Sequence, residues 1–257
     1  MKAIKTVLLI IYIILFLLIV FIVNGRVESH FVNSEIEAFK ARGQLVYEDE
    51  RARYFAVEAI YDYEDTSREV LRSFVNMRIG SQADIFVTSR NPLPGNPFVG
   101  FLSENMWLGH AALVLDDDGR QTAEITGNLS PEENVVSIWS NTWISGDSVS
   151  PQIALLRLKN TDEGIRNAIT EYALSQVGKP YNYTFLFNTN RSYYCSDFVS
   201  RASLAGGINI NYDHLATTGS DMIVSDKTYL AYYRERQENN GNITYDVYFL
   251  TDKVGDE

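Results

Sequence analysis

A domain of mixed strands and helices, set behind one apolar N-terminal helix, is what this sequence predicts. Three observations lead there. Val7 to Val23 is an unbroken apolar run. Two short apolar segments flank Asp116-Asp117-Asp118-Gly119, which is a hairpin signal. Two later segments carry helix start and stop residues: one opens at Asp162 and stops at Gly178 and Pro180, the other begins at Cys195 and ends at Gly206-Gly207.

The apolar run, as a helix, is roughly 26 Å long, close to a hydrocarbon core of about 30 Å. Lys2 and Lys5 precede it, and their charge favours a cytoplasmic N-terminus with the rest of the chain on the outer side of the cell membrane. A cleaved signal peptide is the competing reading. Its apolar region is usually about 7–15 residues and ends in a small-x-small site, and Val23-Asn24-Gly25-Arg26-Val27 offers none. Residues 1–27 are therefore read as a single-pass membrane anchor.

Residues 28–79 read as an amphipathic helical stalk or domain extension, with Val57, Ile60, Tyr61, Val70, Leu71, Phe74 and Val75 near helical spacing. A single domain follows over 80–257. Ala83 to Thr88 reads as a strand, and residues 90–100, with Pro92, Pro94 and Pro97, as a loop long enough to line a site. In the hairpin, a three-residue loop at 117–119 puts Gly119 at the left-handed position. That register pairs 112 with 124 and sets Glu124 on the face of His110, one diagonal step away; a two-residue loop would send it to the other face. Val135–Trp139, Ile153–Leu158 and Thr244–Leu250 are further strands, and the rest of 208–257 is mixed.

Composition removes several function classes. Hydrophobic residues make up 46% and charged residues 21%, so the chain is globular rather than disordered. A net charge of -11 disfavours nonspecific nucleic-acid binding. One cysteine allows no intrachain disulfide and no Cys-rich metal site, and the three histidines, His30, His110 and His214, would all be needed for a His-only zinc site. No metal or cofactor is expected. Asn128, Asn182, Asn190 and Asn242 fall in glycosylation-type triplets, which are read as accidental.

Four residues could carry chemistry. Cys195 starts a helix, where unpaired N–H groups and the helix dipole favour a thiolate; the plainer alternative is a small core residue. His110 stands in a central strand, either as a general base or as a hydrogen-bonded core histidine. Glu124, a carboxylate on an apolar strand, needs a partner and could orient His110, unless it lies on an exposed edge. Tyr181, in Gly178-Lys179-Pro180-Tyr181, could offer a hydroxyl to a developing oxyanion together with the Cys195 backbone N–H, or could simply pack.

Taken together, Ala83-Asp84-Ile85-Phe86-Val87, Gly109-His110-Ala111-Ala112-Leu113-Val114, Glu124-Ile125-Thr126-Gly127 and Gly178-Lys179-Pro180-Tyr181 followed by Tyr194-Cys195-Ser196-Asp197-Phe198-Val199 resemble, in that order, the permuted NlpC-type cysteine hydrolases, the YiiX/YebB-like branch of the papain fold. The histidine strand comes first and the cysteine last. The resemblance covers about 80–225 and implies an α+β fold, a permuted papain-like domain whose Cys helix packs on an antiparallel sheet. It implies Cys195 as nucleophile, His110 as base, Glu124 as orienting group and Tyr181 as a supporting residue. Ala83 stands where the family often has Gly, and 28–79 has no counterpart. The function expected is a membrane-anchored thiol hydrolase acting on an amide, with peptide or acyl substrates and cell-wall peptide among them. The alternatives are a non-catalytic binding module on the same fold, or a lipid-acting acyltransferase or esterase.

Overall fold

The computed structural model describes residues 2–71, 78–90, 103, 107–130, 132–145, 150–184, 191–212, 216–239 and 241–252. The elements run α1 (Lys2–Ala41), β1 (Gly43–Glu48), β2 (Ala52–Glu58), β3 (Ile85–Thr88), β4 (His110–Val114), β5 (Gln121–Glu124), β6 (Ser137–Ser140), β7 (Gln152–Leu158), α2 (Glu163–Ser175), α3 (Cys195–Ala205), α4 (Gly219–Val224), β8 (Thr228–Asn239) and β9 (Asn242–Thr251). Among the described residues the nine strands form one sheet in the order β1-β2-β9-β8-β7-β3-β4-β5-β6. Every pairing is antiparallel except β2 with β9. The Pro-rich segment 91–100 lies outside the described residues, as do Phe74, Val75, Asn190 and His214.

The apolar N-terminal run forms the first half of one 40-residue helix. Among the described residues no helix is long and apolar enough to cross a membrane, the side chains of Ile14, Leu17, Leu18 and Phe21 lying outside them, so the expected transmembrane helix is not returned as such. Along that half the described apolar side chains are exposed; from Gly25 onward Glu28, Val32, Ile36 and Phe39 form a buried stripe at three- and four-residue spacing. This second half packs on α4 and β8.

The helical reading of 28–79 is corrected beyond Ala41. Residues 43–58 form a hairpin, and β2 joins the main sheet beside β9. Ala52, Tyr54 and Ala56 are buried in alternation with more exposed neighbours, and Arg53 makes a two-bonded ion pair with Asp246 on β9. This pairing joins residues 193 positions apart, so local spacing gives no hint of it. The strands β3, β4, β7 and the ends of β8 and β9 supply the core, with Ile85, Phe86, Leu113, Ile153 and Leu155 fully buried.

One polar cluster sits inside that core. Arg157 on β7 and Asp84, just before β3, are both wholly buried and meet through two bonds, Nε to Oδ1 at 2.9 Å and Nη2 to Oδ2 at 2.8 Å. The remaining Arg157 nitrogen donates to the carbonyls of Asp65 and Arg68. The cluster therefore ties the chain before β3 to the sheet. Ala83 beside it holds φ 66, the left-handed region in which a Cβ is unfavourable.

Candidate active site

His110 begins β4, and the residue before it has to be glycine. A Cβ on Gly109 would stand 2.3 Å from the Thr88 carbonyl oxygen and 2.5 Å from that of Arg90. The close approach is made by the end of β3, which pairs Thr88 with His110. The hairpin has the register expected from its turn: Gly119 holds φ 60, its N–H donates to the Asp116 carbonyl, and Ala112 pairs with Glu124. Glu124 and His110 consequently share one face of the sheet, with Oε2 of Glu124 2.8 Å from Nε2 of His110.

The second oxygen of Glu124 is held as firmly. Trp143 Nε1–H donates to Oε1 at 2.8 Å, and the Thr122 hydroxyl donates to the same atom. The Trp143 ring also stacks on His110, with centroids 5.5 Å apart and planes 9° apart, and on Phe86 at 4.8 Å and 14°. Its loop is pinned by Asn141, whose Nδ2 donates to the carbonyls of Ile79 and Gly119. Trp143 and Thr122 are site residues that sequence reasoning missed. Trp143 lies in an irregular loop 19 residues from Glu124, with no periodicity to mark it. The available signal is that a tucked-in indole needs an acceptor.

Cys195 is the first residue of α3, preceded by Tyr194 in an extended conformation. The helix packs on β4, and the Ser196 hydroxyl fixes its start by donating to the Thr217 carbonyl at 2.7 Å. The Cys195 side chain meets the His110 ring and the backbone N–H groups of Ala111 and Ser196. Glu124 occupies Nε2 of His110, so Nδ1 is the ring nitrogen left to the sulfur.

The electrostatics favour a charged pair. Burial alone would raise the Cys195 thiol, but the hydrogen bond and charge of His110, with the two backbone donors, outweigh it and bring the pKa below that of a free thiol. Burial alone would lower His110; Cys195 and Glu124 together outweigh it and raise it. Glu124 is pushed up by burial and brought down further by His110, Thr122 and Trp143, so it stays a carboxylate. These three shifts point the same way, toward thiolate, imidazolium and carboxylate in a row.

Tyr181 reaches the site by a different route. It bridges to Tyr193, two residues before Cys195, and its ring covers Gly127, where a Cβ would meet it at 2.7 Å. Burial, then the charge of Cys195, raises its hydroxyl above the ordinary range, which keeps it a proton donor. The structure therefore brings together Cys195, His110, Glu124 and Tyr181 from four separate stretches of chain. Among the described residues no group of His, Cys, Asp and Glu is arranged to hold a metal ion. His30 is on α1 beside Phe31.

No curated protein and no solved structure matches the chain. A family model does, over residues 83–246, a stretch that includes every site residue named above; its description is a permuted papain-like amidase enzyme, YaeF/YiiX, C92 family. The description supports the papain-like and YiiX-like parts of the resemblance and does not name the NlpC type. With well over half its length inside that match, and with the histidine strand preceding the cysteine helix, the chain belongs to the permuted papain-like amidases of the C92 family.

Proposed function

We propose that this protein is a membrane-anchored thiol hydrolase of NlpC-type kinship that cleaves an amide bond, with peptide as the substrate class and cell-wall peptide as the first candidate. The single observation that carries the reading is the continuous series of contacts from Cys195 through His110 to Glu124. In the reaction, the Cys195 sulfur attacks the amide carbonyl and His110 gives its proton to the departing amine as the C–N bond breaks. Water then attacks the acyl-enzyme, His110 takes the proton from it, and the acid product leaves. Glu124 keeps the ring oriented and supports its positive charge. Tyr181 and the Cys195 N–H, one of the groups a helix start leaves without an intrahelical partner, face the developing oxyanion.

Anchoring is part of the proposal. The apolar run Val7 to Val23, its exposed side chains and the flanking Lys2 and Lys5 support a helix seated in the cell membrane, N-terminus inside and domain outside.

The test is the pH dependence of Cys195 alkylation by iodoacetamide in the full chain and in His110→Ala. The chain holds one cysteine, so the signal has one source. The expected apparent pKa lies well below the ordinary thiol value of about 8.5 and rises when His110 is removed. A thiol that titrates normally in the unaltered chain, indifferent to His110, would leave a fold without the chemistry.

A further inference from the structure

His110 does not stand alone on its row of the sheet. The pairings His110 with Thr88, Thr88 with Ile153, and Ile153 with Arg234 place Arg234 on the same face, three strands away, or about 14 Å at the usual strand spacing. Tyr232 shares that face two residues earlier on β8, in the row of Phe86 and Glu124.

Arg234 is only 3% exposed, yet its charge is poorly answered. Nη1 makes a long bond of 3.4 Å to the Ile144 carbonyl, the guanidinium lies 4.7 Å over the Tyr245 ring, and Nη2 is buried with no hydrogen-bond partner. The Tyr232 hydroxyl, fully buried, is likewise without a partner. Among the described residues no carboxylate pairs with Arg234, although the chain carries 33 acidic side chains. Arg157, also buried, is by contrast satisfied by Asp84 and two carbonyls. A buried cation and a buried hydroxyl without hydrogen-bond partners on one sheet face are costly, and both are donors suited to an anionic oxygen.

We infer that Arg234 and Tyr232 form a subsite for an anionic oxygen group, a carboxylate or a phosphate, carried by the substrate at a fixed distance from the bond that is cleaved. Arg234 Nη2 and the Tyr232 hydroxyl would both donate to it. The Ile144 carbonyl already held by Arg234 belongs to the residue after Trp143, so the loop that covers His110 also borders this subsite. The inference deepens the amide-hydrolase reading and rests on it for the position of the scissile bond. Anion binding itself does not require the thiol.

The experiment uses the full chain in detergent and four probes: 6-acetamidohexanoate, its neutral methyl ester, 6-acetamidohexyl phosphate and, as reporter, iodoacetamide on Cys195. Thermal midpoint and alkylation rate are read together. At least one charged probe is expected to raise the midpoint and slow alkylation, and the one that acts identifies the anion as carboxylate or phosphate. The methyl ester should do neither. In Arg234→Met the charged probe should bind at least tenfold more weakly, while the probe-free midpoint stays the same or rises, because a buried unpaired charge has been removed. Tyr232→Phe, which loses only a partnerless hydroxyl, keeps its fold and should weaken the probe several-fold. Equal action by the ester, unchanged binding in both variants, or stabilisation with no protection of Cys195 would each overturn the subsite. An inert thiol in the unaltered chain bears on the hydrolase reading instead, since the midpoint shift does not depend on it.

Discussion

Trp143 does two separable things to the charged row. Its N–H donates to Glu124 and its ring covers His110. Phenylalanine keeps the cover and deletes the donor. Trp143→Phe should therefore lower kcat about tenfold, the worth of one hydrogen bond to a charged group, with KM nearly unchanged because the indole acts through Glu124. The pH profile separates this from simple loosening. The Trp143 hydrogen bond is one of the interactions that lower Glu124; without it the carboxylate protonates at higher pH, and the lowest-pH part of the acid limb, below the thiol step, moves upward. Phenylalanine with an unmoved acid limb would leave the indole as packing only. The limbs themselves follow from the other two shifts. Cys195 is depressed and His110 raised, so the ion pair exists above the first value and below the second. Activity should climb as pH rises through the depressed thiol value and decline as His110 loses its proton. His110→Ala, which removes the proton carrier, should cost more kcat than Glu124→Gln, which removes only charge and orientation; the reverse order would reassign the two roles.

Among the elements, β3 depends on an ion pair that no hydrophobic pattern could disclose. Asp84 and Arg157 answer each other inside the core, and with Arg157 removed Asp84 keeps only a long ion pair to Arg68 at 3.7 Å and the Ser81 N–H. Arg157→Met should destabilise by about 3–5 kcal/mol in urea denaturation, and Asp84→Leu added to it should recover much of the loss. A mild single mutant would mean that water reaches the site. Arg157 sits inside Leu155-Leu156-Arg157-Leu158, so the strand was legible from its apolar neighbours while the partner, 73 residues earlier, was not. The same division runs through the fold. The β4–β5 hairpin was readable because Gly119 and Asp116 fix its register locally, and α2 was readable because Asp162 caps it through its side chain. β8 was not: Tyr229 to Arg234 is buried on both faces and therefore shows no alternation. The β1–β2 hairpin was misread as helix because its strand character comes from pairing with β9, at the far end of the chain. The candidate residues on local elements, Cys195, His110 and Glu124, are accordingly legible as candidates, and the loop residue Trp143 beside them is not.

On the scale of the whole molecule, α1 carries an exposed half and a buried half without a break. The described apolar side chains of its first half are exposed, and its second half buries Val32, Ile36 and Phe39 and packs on α4 and β8. The helix thus runs unbroken from its first half into the domain, and α4 in turn follows Thr217, whose carbonyl accepts from the Ser196 hydroxyl next to Cys195. The two halves should separate cleanly on truncation. A chain starting at residue 24 loses the apolar run but keeps the buried stripe; it should leave the membrane fraction without detergent and retain the urea midpoint and the alkylation profile of Cys195. A chain starting at residue 43 loses the stripe as well. Three buried side chains at about 1.5–3 kcal/mol each amount to much of a domain's typical stability of about 5–15 kcal/mol, so this shorter chain should unfold at far lower urea or fail to fold. If the chain from residue 24 stayed in the membrane fraction, the anchor would lie elsewhere. If the chain from residue 43 kept the full midpoint, the second half of α1 would be an attachment and not part of the domain.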